Sequence, residues 1–127
     1  METLKLAIVT DIHHGPTRYT KQGAAALPLL ETVSRKISAG SADLVVDLGD
    51  RISNVDRETD AGLTRDVMAV FERMNTPRAH LLGNHDLHYL TRAENEAILG
   101  QPLGSCSQDL KGRHLVFWQI DLSGRFP

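Results

Sequence analysis

The chain has 127 residues, 41% of them hydrophobic and 24% charged, with a formal net charge of −2. That length expects one soluble domain with a real core, and the charge removes the electrostatic case for a nucleic-acid partner or an acidic membrane surface. Cys106 is the one cysteine, so no intrachain disulfide can form and a reducing, cytoplasmic setting is the expectation. The longest apolar run, residues 24–30, contains Pro28 and is far too short to span a bilayer. No signal-type apolar core precedes Asp11, so no targeting segment is expected.

Residues 4–10 are short, apolar and followed by a polar break, which predicts a buried strand. His14-Gly15-Pro16 ends it, and an exposed loop is expected to about Gly23. Leu29, Leu30, Val33 and Ile37 recur at helical spacing up to Gly40. Pro28 either sits in the first turn of that helix or kinks one begun at Ala24. Residues 43–48 form the second predicted strand, and 51–60 read as polar and irregular. Leu63, Val67, Val70, Phe71 and Met74 line one helical face, which Asn75-Thr76-Pro77 closes. Residues 78–82 are the third strand. A capping box at Thr91-Arg92-Ala93-Glu94 opens a short helix that Gly100 stops, a loop covers 101–107, and 114–121 read as a fourth strand. Alternating strands and helices predict an α/β fold with a largely parallel sheet, whose functional residues gather beyond the carboxyl ends of the strands.

The polar residues at those ends repeat a theme. Asp11-Ile12-His13 follows the first strand, Asp47-Leu48-Gly49-Asp50 closes the second, and Gly83-Asn84-His85-Asp86 follows the third. Asp11 and His13 are two apart, so in an extended chain both project to one side and can grip one cation. Asp50, after a glycine that lets backbone approach, can bridge two cations, and Asn84 offers a neutral carbonyl oxygen. Mixed nitrogen and oxygen ligands suit Mn²⁺, Fe or Zn²⁺. Two such cations would bring a bridging water to hydroxide at neutral pH and clamp the oxygens of an in-line displacement at phosphorus. His85 beside Asp86 reads as a charged imidazole, oriented by the carboxylate, that stabilises or protonates the leaving oxygen. For Asp86 a turn-capping role is the equal alternative.

Asp-x-His, Gly-Asp and Gly-Asn-His-Asp in this order, each closing a strand, resemble the calcineurin-like metallophosphoesterase superfamily. Asp11 to Asp50 and Asp50 to Asn84 are 39 and 34 residues apart, each room for one crossover helix. The resemblance implies an α/β/β/α sandwich and a two-metal phosphomonoesterase or phosphodiesterase. Asp11, His13 and Asp50 would hold one metal, Asp50 and Asn84 the other. His85 would donate the proton or touch the phosphate, with Asp86 as its partner. It covers residues 4–122 but matches the family's N-terminal half. The later metal-binding His and the Gly-His-x-His motif do not occur here, so a truncated family member is expected. Its half-covered sheet would seek a partner, for instance a second copy through the exposed edge. The alternative function is a non-catalytic scaffold on the same fold; a nucleotide-binding module is disfavoured because no Gly-rich loop follows the first strand.

The remaining polar residues receive plainer readings. His14 is expected on a solvent-facing loop and His80 as a satisfied core histidine. Arg51 is expected as a solvated surface arginine rather than a phosphate contact. His88 and Tyr89 either line the substrate pocket or belong to a surface loop. Phe117 and Trp118 belong to the core or an interface, and Cys106 is inert.

Overall fold

Leu44-Val45-Val46-Asp47 is the most completely buried stretch of the chain, and the fold is built around it. In the computed structural model, which describes residues 2–121, this strand (β2, Leu44–Asp47) lies between β1 (Leu6–Val9) and β3 (Arg78–His80). Both neighbours are parallel to it, with Ala7 opposite Val45 and Val45 opposite Arg78. Parallel neighbours need crossover connections, and each carries a helix: α1 (Gly23–Ala39) and α2 (Arg57–Phe71). The mixed α/β fold with a parallel sheet agrees with the expectation from sequence.

One face of the sheet packs on helices. Val45, with Ala7 and Val9 beside it, shares a core with Leu30 of α1, Val67, Met68, Val70 and Phe71 of α2, and Leu99 of α3 (Arg92–Leu99). The other face presents Leu44, Val46, Ala79 and Leu81 to Phe117, Leu110 and Leu115. These last three belong to an antiparallel hairpin of β4 (Cys106–Leu110) and β5 (Arg113–Phe117). The hairpin corrects the sequence reading of 101–107 as loop and 114–121 as a lone strand. Its turn, Lys111-Gly112, places both residues at positive φ (51° and 70°), as a two-residue turn with matching twist demands. Four of the five β4 residues are exposed, so the strand lacks the apolar alternation that reveals strands in sequence.

Two further expectations are corrected, for β1 and α2, and the two alternatives for α1 are decided. Residues 4–10 were expected as a buried strand, but β1 is an edge strand whose Leu6 and Ile8 are 41% and 62% exposed. The hairpin covers β2 and β3 on that face and leaves them open. α1 begins at Gly23, with Pro28 inside it. α2 begins at Arg57, inside the stretch read as irregular, because its first turn is polar. Asp56 caps it by accepting the Thr59 N–H at 2.8 Å, and Asp60 and Thr64 take inward positions where an apolar pattern would have been visible. α3 has its full Thr91–Glu94 capping box. No described helix is long and apolar enough to cross a membrane.

Candidate metal centre

Parallel pairing continues past the carboxyl ends of β1 and β2, and this draws the first two motifs together. The Asp11 N–H donates to the Gly49 carbonyl (3.1 Å), His13 N–H to Asp50 O (3.0 Å) and His14 N–H to Arg51 O (2.9 Å). The path is strained. Asp11, His13 and Asp50 have φ of 54°, 50° and 54°, and they are three of the five described non-glycine residues with positive φ. Such conformations cost about 1–3 kcal/mol each and concentrate where function requires them.

The third motif enters through two glycines. A Cβ on Gly49 would collide with the Gly83 amide nitrogen, and one on Gly83 would collide with the Asp50 carboxylate. Glycine at both positions therefore lets the loops after β2 and β3 touch. β3 itself is shorter than the expected 78–82. The Leu82 N–H and carbonyl pair with the Gln119 side-chain amide (2.6 and 3.0 Å) instead of a neighbouring strand.

This convergence places one ligand atom each of His13, Asp50 and His85 within 4.8 Å of one another. The His13 and His85 rings meet edge to face, centroids 4.8 Å apart. The His85 N–H donates to Asp50 Oδ1 at 2.9 Å, fixing that carboxylate. Asp11 Oδ1 lies 3.5 Å from His13 Nε2, and its Oδ2 accepts the Thr10 hydroxyl at 2.6 Å. Asn84 is exposed and precedes the short 3-10 turn His85–Leu87. The donor set fits a divalent cation: two imidazoles with the single carboxylate of Asp50, Asp11 lying outside the cluster, and a buried His13 Nδ1 with no hydrogen-bond partner among the described residues.

His85 is held differently from expectation. Its Nδ1 hydrogen-bonds Asn54 Oδ1, which leaves Nε2 as the nitrogen open to the site. Asn54 lies in the 51–60 stretch, and no sequence signal marks it. Burial pushes the His85 pKa down, with the Lys21 and His13 charges adding to it and Asp50 pulling the other way. The metal-free ring is therefore biased towards neutral, not the charged imidazole expected from sequence.

Of the two roles expected for Asp86, the structure shows the capping of backbone and not the orienting of His85. Asp86 is buried, and its carboxylate accepts three backbone N–H groups: Asp50 (2.8 Å), Arg51 (3.0 Å) and Gly83 (2.9 Å). Burial pushes its pKa up, opposed by the Arg51 charge and the Gly83 N–H. Arg51 corrects the reading as a solvated arginine, for it has no accessible surface and ion-pairs with Asp47 at 2.5 Å. Burial raises the Asp47 pKa, but the Arg51 charge and the His80 hydrogen bond outweigh it, so the net shift is downward. His80, bonded to Asp47 at 2.8 Å, is the satisfied core histidine expected.

His14 is mostly buried rather than solvent-facing, with Nε2 3.4 Å from Asp66 of α2, and it lies outside the three-residue cluster. His88 and Tyr89 are exposed and line an open cleft of about 860 Å³ with Leu87, Arg92 and Gln119. Phe117 is core and Trp118 is 78% exposed, so the two neighbours part company. Cys106 is free and exposed.

None of the curated proteins matches this chain. Among solved structures it is similar to a dimetal phosphatase from Danio rerio, with 19% identity and a TM-score of 0.62 over 74% of this chain. At that identity the likeness shows a shared fold, and the match spans 33% of the zebrafish chain. The profile of the calcineurin-like phosphoesterases matches residues 4–121, a span that includes all three strand-end motifs. The chain belongs to the calcineurin-like phosphoesterase family.

Proposed function

We propose that this site hydrolyses phosphate mono- or diesters with the help of two divalent cations, Mn²⁺, Fe or Zn²⁺. The observation that carries the reading is the convergence of His13, Asp50 and His85 ligand atoms within 4.8 Å, on loops held in left-handed conformations. In this reading Asp11, His13 and Asp50 hold one cation, and Asp50 with Asn84 the other. Bound cations supply Lewis-acid charge and acidify water. The protein's own residues do the rest. The His85 backbone N–H holds Asp50 Oδ1 at 2.9 Å, so this carboxylate would be already oriented to hold the cations. His85, its Nδ1 engaged by Asn54, presents Nε2 to the leaving oxygen.

The test is an aryl phosphate ester assay on protein stripped by chelator and reloaded with Mn²⁺. Turnover that needs Mn²⁺ and falls at least a hundredfold in Asp50→Ala is expected. Mn²⁺ binding without turnover would favour the non-catalytic scaffold. Absence of both would refute the metal-centre reading.

A further inference from the structure

A charged network with no access to solvent lies directly behind the metal centre, and the hydrolytic reading does not use it. Arg51 Nη1 donates to Asp47 Oδ2 (2.5 Å) and to the Leu81 carbonyl (2.8 Å), and Nη2 lies 3.4 Å from Asp86 Oδ2. Asp47 is further held by the Gly49 N–H at 3.0 Å and by His80 at 2.8 Å. One guanidinium thus faces two carboxylates, all three side chains fully buried.

Stability alone is a poor reason for such a group. Desolvating ions costs several kcal/mol each, and well-packed apolar residues often serve the fold equally well. What the network does achieve is geometric. Asp86 accepts from Asp50, Arg51 and Gly83 at once, so one carboxylate spans the loops after β2 and β3. Asp50, a ligand in the hydrolytic reading, and His85, its proton donor, lie on those same loops. The Asn95 side chain donates to the Asp86 carbonyl at 2.9 Å and anchors this point to α3.

We propose that Arg51 is a positioning residue for the metal centre: it holds the Asp86 carboxylate in place, and Asp86 sets the separation between Asp50 and His85. The inference rests on the reading of the site as a metal centre. Arg51 touches no ligand group directly; it acts through the clamp. A guanidinium can do this where an ammonium cannot, because Nη1 hydrogen-bonds Asp47 and Leu81 while Nη2, which makes no hydrogen bond among the described residues, still lies at ion-pair distance from Asp86.

The experiment compares wild type with Arg51→Lys and Arg51→Met, using Zn²⁺ as the probe because it is diamagnetic. Calorimetry gives the Zn²⁺ Kd, and NMR hydrogen exchange of metal-free protein reports the amides at positions 50, 51 and 83. In a variant that circular dichroism shows to be folded, exchange at those amides is expected to rise at least tenfold relative to β2, and Kd to rise at least tenfold. A merely structural arginine would lower stability and leave the Kd of the folded variant unchanged, which would overturn the proposal. Should both variants unfold, wild type decides: coupling is reciprocal, so Zn²⁺ must slow exchange at the three clamp amides. No slowing refutes the clamp. Wild type that binds no Zn²⁺ refutes the metal-centre reading instead, and exchange in the variants then decides whether Arg51 holds the loops.

Discussion

Gly83→Ala separates the roles of space and of backbone conformation at the junction of the two loops. The φ of Gly83 is not positive, so alanine brings no conformational penalty and the whole effect is steric. The added methyl lands on the Asp50 side chain, with Asp50 Cγ and the Asp50 amide nitrogen each at 2.6 Å. Two responses are open. The carboxylate can rotate away and lose the His85 N–H, a bond to a charged group worth about 1.5–3 kcal/mol. Or the loops can part and stretch the Asp86 bonds to Asp50 and Gly83, with overpacking costs of about 1–3 kcal/mol. Either way about 2 kcal/mol of stability is lost, a large share of the roughly 5–15 kcal/mol that holds a domain together. Urea unfolding reads this as a fall of roughly 1.3 M in midpoint for a slope near 1.5 kcal/mol/M. Mn²⁺ affinity falls at least tenfold, because both responses move Asp50. Gly62→Ala is the control: nothing lies within 4 Å of its added methyl, so inside α2 it is expected to stabilise by roughly 1 kcal/mol. A Gly83→Ala protein with wild-type midpoint and wild-type Mn²⁺ affinity would refute the steric argument.

Two further outcomes follow from the site and the helix beneath it. Asn54→Ala removes the acceptor for His85 Nδ1, so turnover in the Mn²⁺ assay should fall roughly tenfold or more and the protected Nδ1–H signal should vanish from the imidazole NMR spectrum; an unchanged spectrum would show that something else holds the ring. Asp60 has no accessible surface, and burial pushes its carboxyl above the ordinary value of 3.8 against the Val55 and Asp56 N–H bonds. Its folded pKa exceeds its unfolded pKa, so the folded state keeps the proton longer and stability falls as pH rises through that interval. Asp60→Asn should flatten that fall in urea midpoints measured from pH 3.8 to neutrality, and an undiminished slope would assign it to another group.

Sequence alone determined the strand-end motifs, the parallel α/β order and the identity of the candidate ligands. These are local signals. Apolar runs such as Leu44-Val45-Val46 mark buried strands, and Asp11, His13, Asp50, Asn84 and His85 stand out because metal-competent residues follow each run. The α3 capping box was legible for the same reason, since both halves of it lie within four residues. Tertiary structure decided what depends on partners distant in the chain. Arg51 looks like a surface residue until Asp47 and Asp86 close around it from two loops. Asp86 looks like a partner for its neighbour His85 until three amides up to 36 residues away claim its carboxylate. The polar start of α2 and the exposed β4 carry no apolar period, so their structure became visible with the cap at Asp56 and the turn at Lys111-Gly112. Periodicity reports which face a residue turns to the core. Which charge a buried charge meets is settled where the loops converge.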